Sequence, residues 1–237
     1  MATILNIETS TEVCSVSLAK EGETLFEKES SEGLNHSQLL TVFIEELFKN
    51  NNFGFKQLDA VAVSKGPGSY TGLRIGVSVA KGLCYGLNIP LISVGSIEAM
   101  GHYVALNLSE FANLTSADNL LFCPMIDARR MEVYTALFNA KGEAITPVTA
   151  EIIDESSFAE QLVNYSILFF GNGADKCRSK ITHKNALFEG PAKTSARFMQ
   201  SLSEKKYNKQ EFENVAYFEP FYLKDFVATI PKNKIFK

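Results

Sequence analysis

Residues 7–23 read "IETSTEVCSVSLAKEGE", and residues 126–143 read "IDARRMEVYTALFNAKGE". Set one over the other, they share an apolar-acidic pair at Ile7-Glu8 and Ile126-Asp127. Glu-Val recurs at Glu12-Val13 and Glu132-Val133, and Gly-Glu at Gly22-Glu23 and Gly142-Glu143. The Val-to-Gly spacing is the same in both, and the stretch before Glu-Val differs by one residue. Each copy alternates apolar and polar side chains as a half-buried strand does, then reaches a glycine turn and another strand. A hairpin unit that recurs in this way marks an internal duplication.

The surroundings of the two hairpins extend the match. Around the first lie "TILNIET", "VCSVSLA", a turn at residues 20–23 and "TLFEKES". A helix follows over about residues 37–50, then a buried strand "LDAVAVS", a glycine-rich helical segment, a strand "PLISV" and a helix opening at Ser96. Around the second lie "LLFCPMID", "EVYTALFNAKGE", "TPVTAEII", a helix near residues 154–163 and the strand "SILFFG". The expectation is an α/β fold with two βββαβα units, residues 1–105 and residues 106–237, the second degenerate because its later helices are short. Glu8 and Asp127 then stand at matching ends of first strands, where ligands of such folds bind.

Composition narrows the function classes. The chain has 237 residues, 46% hydrophobic and 21% charged, the balance of a chain that buries a core. A net charge of -4 provides no general field for polyanions, although the C-terminal stretch is locally basic through Lys224, Lys232, Lys234 and Lys237. No apolar run approaches the ~20 residues that cross a bilayer, and Glu8 inside the first apolar run argues for a strand over a signal peptide. Cys14, Cys84, Cys123 and Cys177 form no C-x-x-C pair, so buried thiols and a cytoplasmic compartment are expected. Only His36, His102 and His183 are present, too scattered for a local histidine site.

The segment "GPGSYTGLRIGVSVAKGLCYGL", residues 66–87, lacks the Lys-Ser or Lys-Thr of a phosphate-binding P-loop. As a helix it places Gly72, Gly76 and Ala80 on one stripe and Ser78, Gly82 and Gly86 on another. Each helical glycine costs about 1 kcal/mol relative to alanine, so close approach on two sides is expected, one to the sheet and one to a neighbouring helix. The preceding helix is apolar over half its circumference through Leu39, Leu40, Phe43, Ile44, Leu47 and Phe48, more than one core contact needs. These two helices are therefore expected to pair with another subunit, with Leu39, Phe43, Ile44, Leu47, Phe48, Gly72, Arg74, Gly76, Ala80 and Lys81 at the interface, the alternative being that the second domain or the chain's own tail covers the surplus.

The segments "ILNIETS", "NHSQLL", "GPGSYTGLRIG", "IDARRMEVY", "GNG" and "PFYLKD" together resemble the TsaB (YeaZ) family of the bacterial tRNA threonylcarbamoyladenosine pathway. The resemblance implies an actin-like, sugar-kinase-like (ribonuclease H-like) fold shared with a catalytic paralogue, TsaD, in a superfamily formerly called glycoproteases. It implies that this chain is a non-catalytic dimerisation and scaffold subunit. Its partners would be a TsaD-type transferase, a second copy of itself when alone, and a TsaE-type ATPase, with tRNA met through the complex and no membrane. TsaD holds a metal through an H-x-x-x-H pair, and here Ser96 and Met100 fall at those positions, neither a credible ligand for such a site. His102 is two residues out of register and is expected to point away.

No catalytic residue or metal ligand is therefore expected. The residues that could keep a residual nucleotide site, for weak ATP or ADP with magnesium, are Glu8, Thr9, Ser10, Asp127, Gly171 and Gly173. The competing expectation is an ATP- and metal-dependent enzyme of the same fold built on Glu8 and Asp127, with a glycoprotease-type peptidase behind it.

Overall fold

The computed structural model describes residues 2–32, 35–111 and 119–224. Its first half runs β1 (Thr3–Glu8), β2 (Cys14–Lys20), β3 (Glu23–Ser30), α1 (His36–Asn50), β4 (Ala60–Gly66), α2 (Tyr70–Leu87), β5 (Leu91–Gly95) and α3 (Ser96–Leu106). The strands form one sheet in the order β3-β2-β1-β4-β5. β1, β2 and β3 pair antiparallel, while β1, β4 and β5 run parallel.

The second half repeats the plan. It runs β6 (Leu120–Asp127), β7 (Glu132–Thr135), β8 (Thr149–Ile152), α4 (Ala159–Asn164), β9 (Ser166–Phe170), α5 (Ala174–Cys177), β10 (Ala186–Phe188) and α6 (Gln200–Asn208). Its sheet order, β8-β7-β6-β9-β10, matches strand for strand, with the same antiparallel and parallel partners. This is the duplication expected from the two hairpins, in the actin-like arrangement that the family resemblance implied. Degeneration of the second copy lies in its helices: α4 has six residues and α5 four, against 15 in α1 and 18 in α2.

Burial explains the strand patterns. β1 "TILNIE" is buried throughout because helices cover both faces of its sheet, so its apolar residues need not alternate. β3 lies at the sheet edge and alternates exposed with half-buried positions. The glycine turns of the hairpins carry Gly22 at φ 77° and Gly142 at φ 71°, backbone that glycine adopts without a Cβ penalty. All four cysteines are buried and free, and burial pushes the Cys14 and Cys84 thiols up to about 11.

Three cores result. One lies between the first sheet and helices α1 and α2. A second joins the halves, with Ile4, Ala62, Ile92 and Val94 from the first sheet meeting Phe122, Leu168 and Phe170 from the second around α3. The third lies on the outer face of the second sheet. The expected division at residues 105 and 106 falls at the last turn of α3, and the chain after β10 returns to the first sheet. Helix α6 packs on β1, β3 and β5, and Glu213 donates its amide to Leu91 O at 2.8 Å along the β5 edge. The basic stretch lies outside the described residues beyond Lys224.

Candidate functional site

The loop after β1 is the first candidate. Glu8, Thr9 and Ser10 are each at most 1% exposed, and their polar groups, Ser10 Oγ apart, are held by their own chain. Ser10 donates its amide to Glu8 Oε1 at 2.5 Å, and Thr9 donates its amide to Ser64 Oγ at 3.3 Å. Thr9 Oγ1 donates to Gly72 O at 2.9 Å, and Ser69 donates its amide to Ser10 O at 2.6 Å. Burial pushes the Glu8 carboxyl above its ordinary 4.5, partly offset by the hydrogen bonds from Ser10 and Ser64.

The glycines make this closure possible. A Cβ on Gly68 would strike Ser10 O, one on Gly72 would strike Thr9 O, and one on Gly76 would strike Thr9 Oγ1. Each contact would fall inside the 3.0 Å that real Cβ atoms essentially never breach. Helix α2, capped by Ser69 Oγ accepting the Gly72 amide, is thereby seated directly on the loop after β1. Ser10 Oγ lacks a partner among the described residues but is itself buried against Gly68. A phosphate cradle needs free amides open to solvent, and these residues do not fit one as they stand.

The mirrored loop after β6 has a different character. Asp127 is exposed and ion-paired with Lys176 of α5. Lys176 Nζ also donates to Arg130 O at 2.8 Å and Glu132 O at 2.7 Å, so one ammonium clamps the hairpin tip from beneath. Arg129 and Arg130 both adopt left-handed backbone there, φ 72° and 49°, which costs a non-glycine residue roughly 1–2 kcal/mol. Gly171 and Gly173 form a tight turn after β9: a Cβ on Gly171 would strike Met125 O, and one on Gly173 would lie 2.9 Å from Val133 Cγ1. The turn places Asn172 Oδ1 to accept the Asp127 amide at 3.0 Å, while Asn172 Nδ2 donates to Glu12 Oε2 at 2.9 Å. The two halves thus meet directly, with Thr11 and Thr194 hydroxyls 2.8 Å apart alongside.

A cavity of about 590 Å³ opens beyond β4 and β5, lined from the first half by Lys65, Ile97 and Glu98 and from the second by Pro147 and Val148. None of Glu8, Thr9, Ser10 or Asp127 reaches it. Ser96 and Met100, the residues expected at the positions of a histidine pair, are 0% and 1% exposed, Met100 within the joining core. His102 turns instead to Gly142, with Nδ1 3.0 Å from its carbonyl, and His36 opens α1 with Nε2 3.0 Å from Val13 O. Among the described residues no three His, Cys, Asp or Glu side chains gather as a metal site.

The helix pair requires a correction. Phe43, Ile44, Leu47 and Phe48 are buried in the chain's own core, as are Gly72, Gly76 and Ala80, and Leu39 packs partly on that core. Their side chains, Leu39 apart, are therefore spent on the chain's own core. Val215 and Phe218 of the returning C-terminal segment pack against the same core, and Lys81 Nζ of α2 holds that segment through Ala216 O at 3.0 Å and Phe218 O at 3.2 Å. Arg74 is exposed but engaged, stacked on Tyr70 and bonded through Nε to Tyr222 OH at 3.1 Å. The open side of α2 is the other stripe: Ser78, Gly82, Tyr85 and Gly86, with Tyr85 86% exposed and no described atom within 4 Å of a Cβ on either glycine.

Comparison with known proteins places this geometry. A family model for TsaD, tRNA N6-adenosine threonylcarbamoyltransferase, matches residues 30–232. The tRNA threonylcarbamoyladenosine biosynthesis protein TsaB of Haemophilus influenzae is 30% identical over 95% of each chain. The chain belongs to the TsaB family. The solved structure of YeaZ from Pseudomonas aeruginosa superposes with a TM-score of 0.74 at 25% identity, covering 94% of this chain and all of that one. The tRNA N6-adenosine threonylcarbamoyltransferase of Bacillus subtilis is 31% identical over 123 residues, 45% of this chain and 35% of that protein.

For a TsaB-family chain, the structure brings together fewer of the expected site residues than their spacing suggested. Glu8, Thr9 and Ser10 form one buried cluster, whereas Asp127, Gly171 and Gly173 form a separate, partly exposed one. Sequence reasoning missed Glu12 and Asn172 as the bridge between halves and Tyr85 as the exposed centre of α2. For Tyr85 a signal existed in the second glycine stripe. For Glu12 and Asn172, 160 residues apart, no local pattern carried it.

Proposed function

We propose that this chain is a non-catalytic subunit that binds a TsaD-type threonylcarbamoyl transferase and sustains its activity on the adenosine next to the tRNA anticodon. The chain's membership in the TsaB family puts it in tRNA threonylcarbamoyladenosine biosynthesis. The observation that carries the finer reading is the open stripe Ser78, Gly82, Tyr85 and Gly86: helical glycines at which an added Cβ would meet no described atom within 4 Å, beside an exposed tyrosine. Two such glycines let another backbone approach closely, and tyrosine is a common anchor of interfaces. The burial of Glu8, Thr9 and Ser10 supports the absence of chemistry in the first half, and Ser96 and Met100 support it at the aligned metal positions.

On this reading the same face serves a homodimer when the chain is alone and the transferase when both are present. A TsaE-type ATPase completes the assembly, tRNA is met through the complex, no cofactor of its own is needed, and the compartment is the cytoplasm. Among the described residues no helix is long and apolar enough to cross a membrane.

The test is incorporation of labelled threonine into unmodified tRNA, with the carbamoyl-adenylate supply and the ATPase present, comparing this chain, the transferase and both. Activity only with both is expected, and Gly82→Arg is expected to abolish it while the chain stays folded. Activity with this chain alone would overturn the reading. So would full activity and unchanged association of Gly82→Arg.

A further inference from the structure

The tip of the β6–β7 hairpin is built to present two arginines. Arg129 and Arg130 are consecutive, exposed and left-handed, at a place where asparagine or glycine adopts the same backbone more easily. The tip is also fixed. Lys176 donates to Asp127 Oδ1, Arg130 O and Glu132 O, Arg129 donates its amide to Asp127 Oδ1 at 2.9 Å, and Glu132 donates its amide to Arg129 O at 3.1 Å. A strained backbone held from beneath by a half-buried ammonium is a support for what it projects.

Local charge then identifies what is left over. Asp127 is matched by Lys176, and Glu132 is matched by Lys224. Glu12 stands behind Asn172 and accepts from its amide. The guanidinium groups of Arg129 and Arg130 have no acceptor among the described residues, in a chain whose net charge is -4. Guanidinium groups on consecutive residues of a fixed tip suit phosphate oxygens, which they can bind in pairs.

We propose that Arg129 and Arg130 contact RNA phosphates, making this chain a direct contributor to tRNA binding in the assembled enzyme and not only a support for its partner. This rests on the chain working in the tRNA-modifying complex described above. The source of phosphate is the tRNA backbone. An acidic protein face is the rival occupant.

The experiment compares the wild-type chain with Arg129→Asn/Arg130→Gly, whose residues keep the left-handed backbone, and with Arg129→Lys/Arg130→Lys, which keeps the charge. Each is mixed with the transferase. Association is measured first, then anisotropy of labelled unmodified tRNA over a salt series, on the complex and on the chain alone. Each phosphate contact contributes about 0.7–0.9 to the slope of log affinity against log salt. The Asn/Gly variant is therefore expected to lose about 1.5 from that slope and about tenfold in affinity, with association unchanged and the Lys/Lys variant intermediate. Unchanged affinity and slope overturn the proposal. Lost association, with tRNA affinity per assembled complex intact, overturns it in favour of an acidic protein face. A wild-type chain that never associates with the transferase refutes the partner reading, and the slope of the chain alone then decides the arginine pair.

Discussion

Replacing the glycines of α2 one at a time with alanine separates the two sides of that helix. At Gly82 and Gly86 the new methyl meets nothing within 4 Å, so only the helical preference counts, and each change is expected to stabilise by about 1 kcal/mol. In a chain of this size that raises Tm by about 2–4 °C. At Gly76 the same preference acts, but the methyl overlaps Thr9 Oγ1, which donates to Gly72 O at 2.9 Å. Relieving the overlap costs about 1–3 kcal/mol as overpacking, and turning the hydroxyl away leaves a buried pair unmade for about 1–3 kcal/mol more. Set against the gain of about 1 kcal/mol, the net is a loss of about 3 kcal/mol and a Tm lower by about 6–12 °C. At Gly72 the obstacle is the Thr9 carbonyl itself, so backbone must move and the loss is expected to be larger. Thermal melts of the four variants by circular dichroism read the series directly. If Gly76→Ala rises in Tm alongside Gly82→Ala, α2 is not seated on the loop after β1 and the assignment of the two stripes fails.

Two further outcomes follow from other parts of the chain. Burial raises the Glu8 carboxyl in the folded state, so its contribution to stability is fully present below the unfolded value of 4.5 and is lost as pH rises through the folded value. Glu8→Gln should therefore melt above the wild type at pH 8, with the gap closing below pH 4.5. A gap that is constant with pH would mean that Glu8 is equally solvated in both states. Lys81→Met keeps the apolar stem and removes two bonds to the returning segment, an expected loss of about 1 kcal/mol because the ammonium is part-exposed. Amide exchange should accelerate at residues 215–221 more than in β9. Uniform acceleration would show that Lys81 holds no local latch.

What the sequence disclosed was set by range. The hairpins "IETSTEVCSVSLAKEGE" and "IDARRMEVYTALFNAKGE" carry strand, turn and strand within a few residues, so their duplication could be read directly, whereas the sheet orders they share came only with the fold. The start of α2 was equally local, since Ser69 caps it through Gly72. Which glycine stripe faces inward was not local. It depends on Thr9, 63 residues from the helix position it bonds. The apolar surplus of α1 was real, but its cover came from β2, β3 and α2 and from the rings of Phe53 and Phe55 against Phe48. Asp127 and Glu8 hold equivalent strand ends, and only tertiary packing makes one exposed and the other buried. The arginine tip looked like an ordinary motif until its backbone angles were visible.

The return of residues 196–224 to the first sheet bears on how the chain is made. A ribosome delivers β1 to β5 early, but α6 and the segment that pairs with β5 emerge about 100 residues later. At about 5–20 residues per second this leaves one side of the first sheet without its cover for several seconds. Ile4, Ala62, Ile92 and Val94 lack the second half at the start of that interval and α6 until its end. A nascent chain arrested before residue 196 should therefore engage a holding chaperone, and release should let it close in one step as the last helix arrives. The order of synthesis and the order of completion differ in this protein: the half that is made first is the half that is finished last.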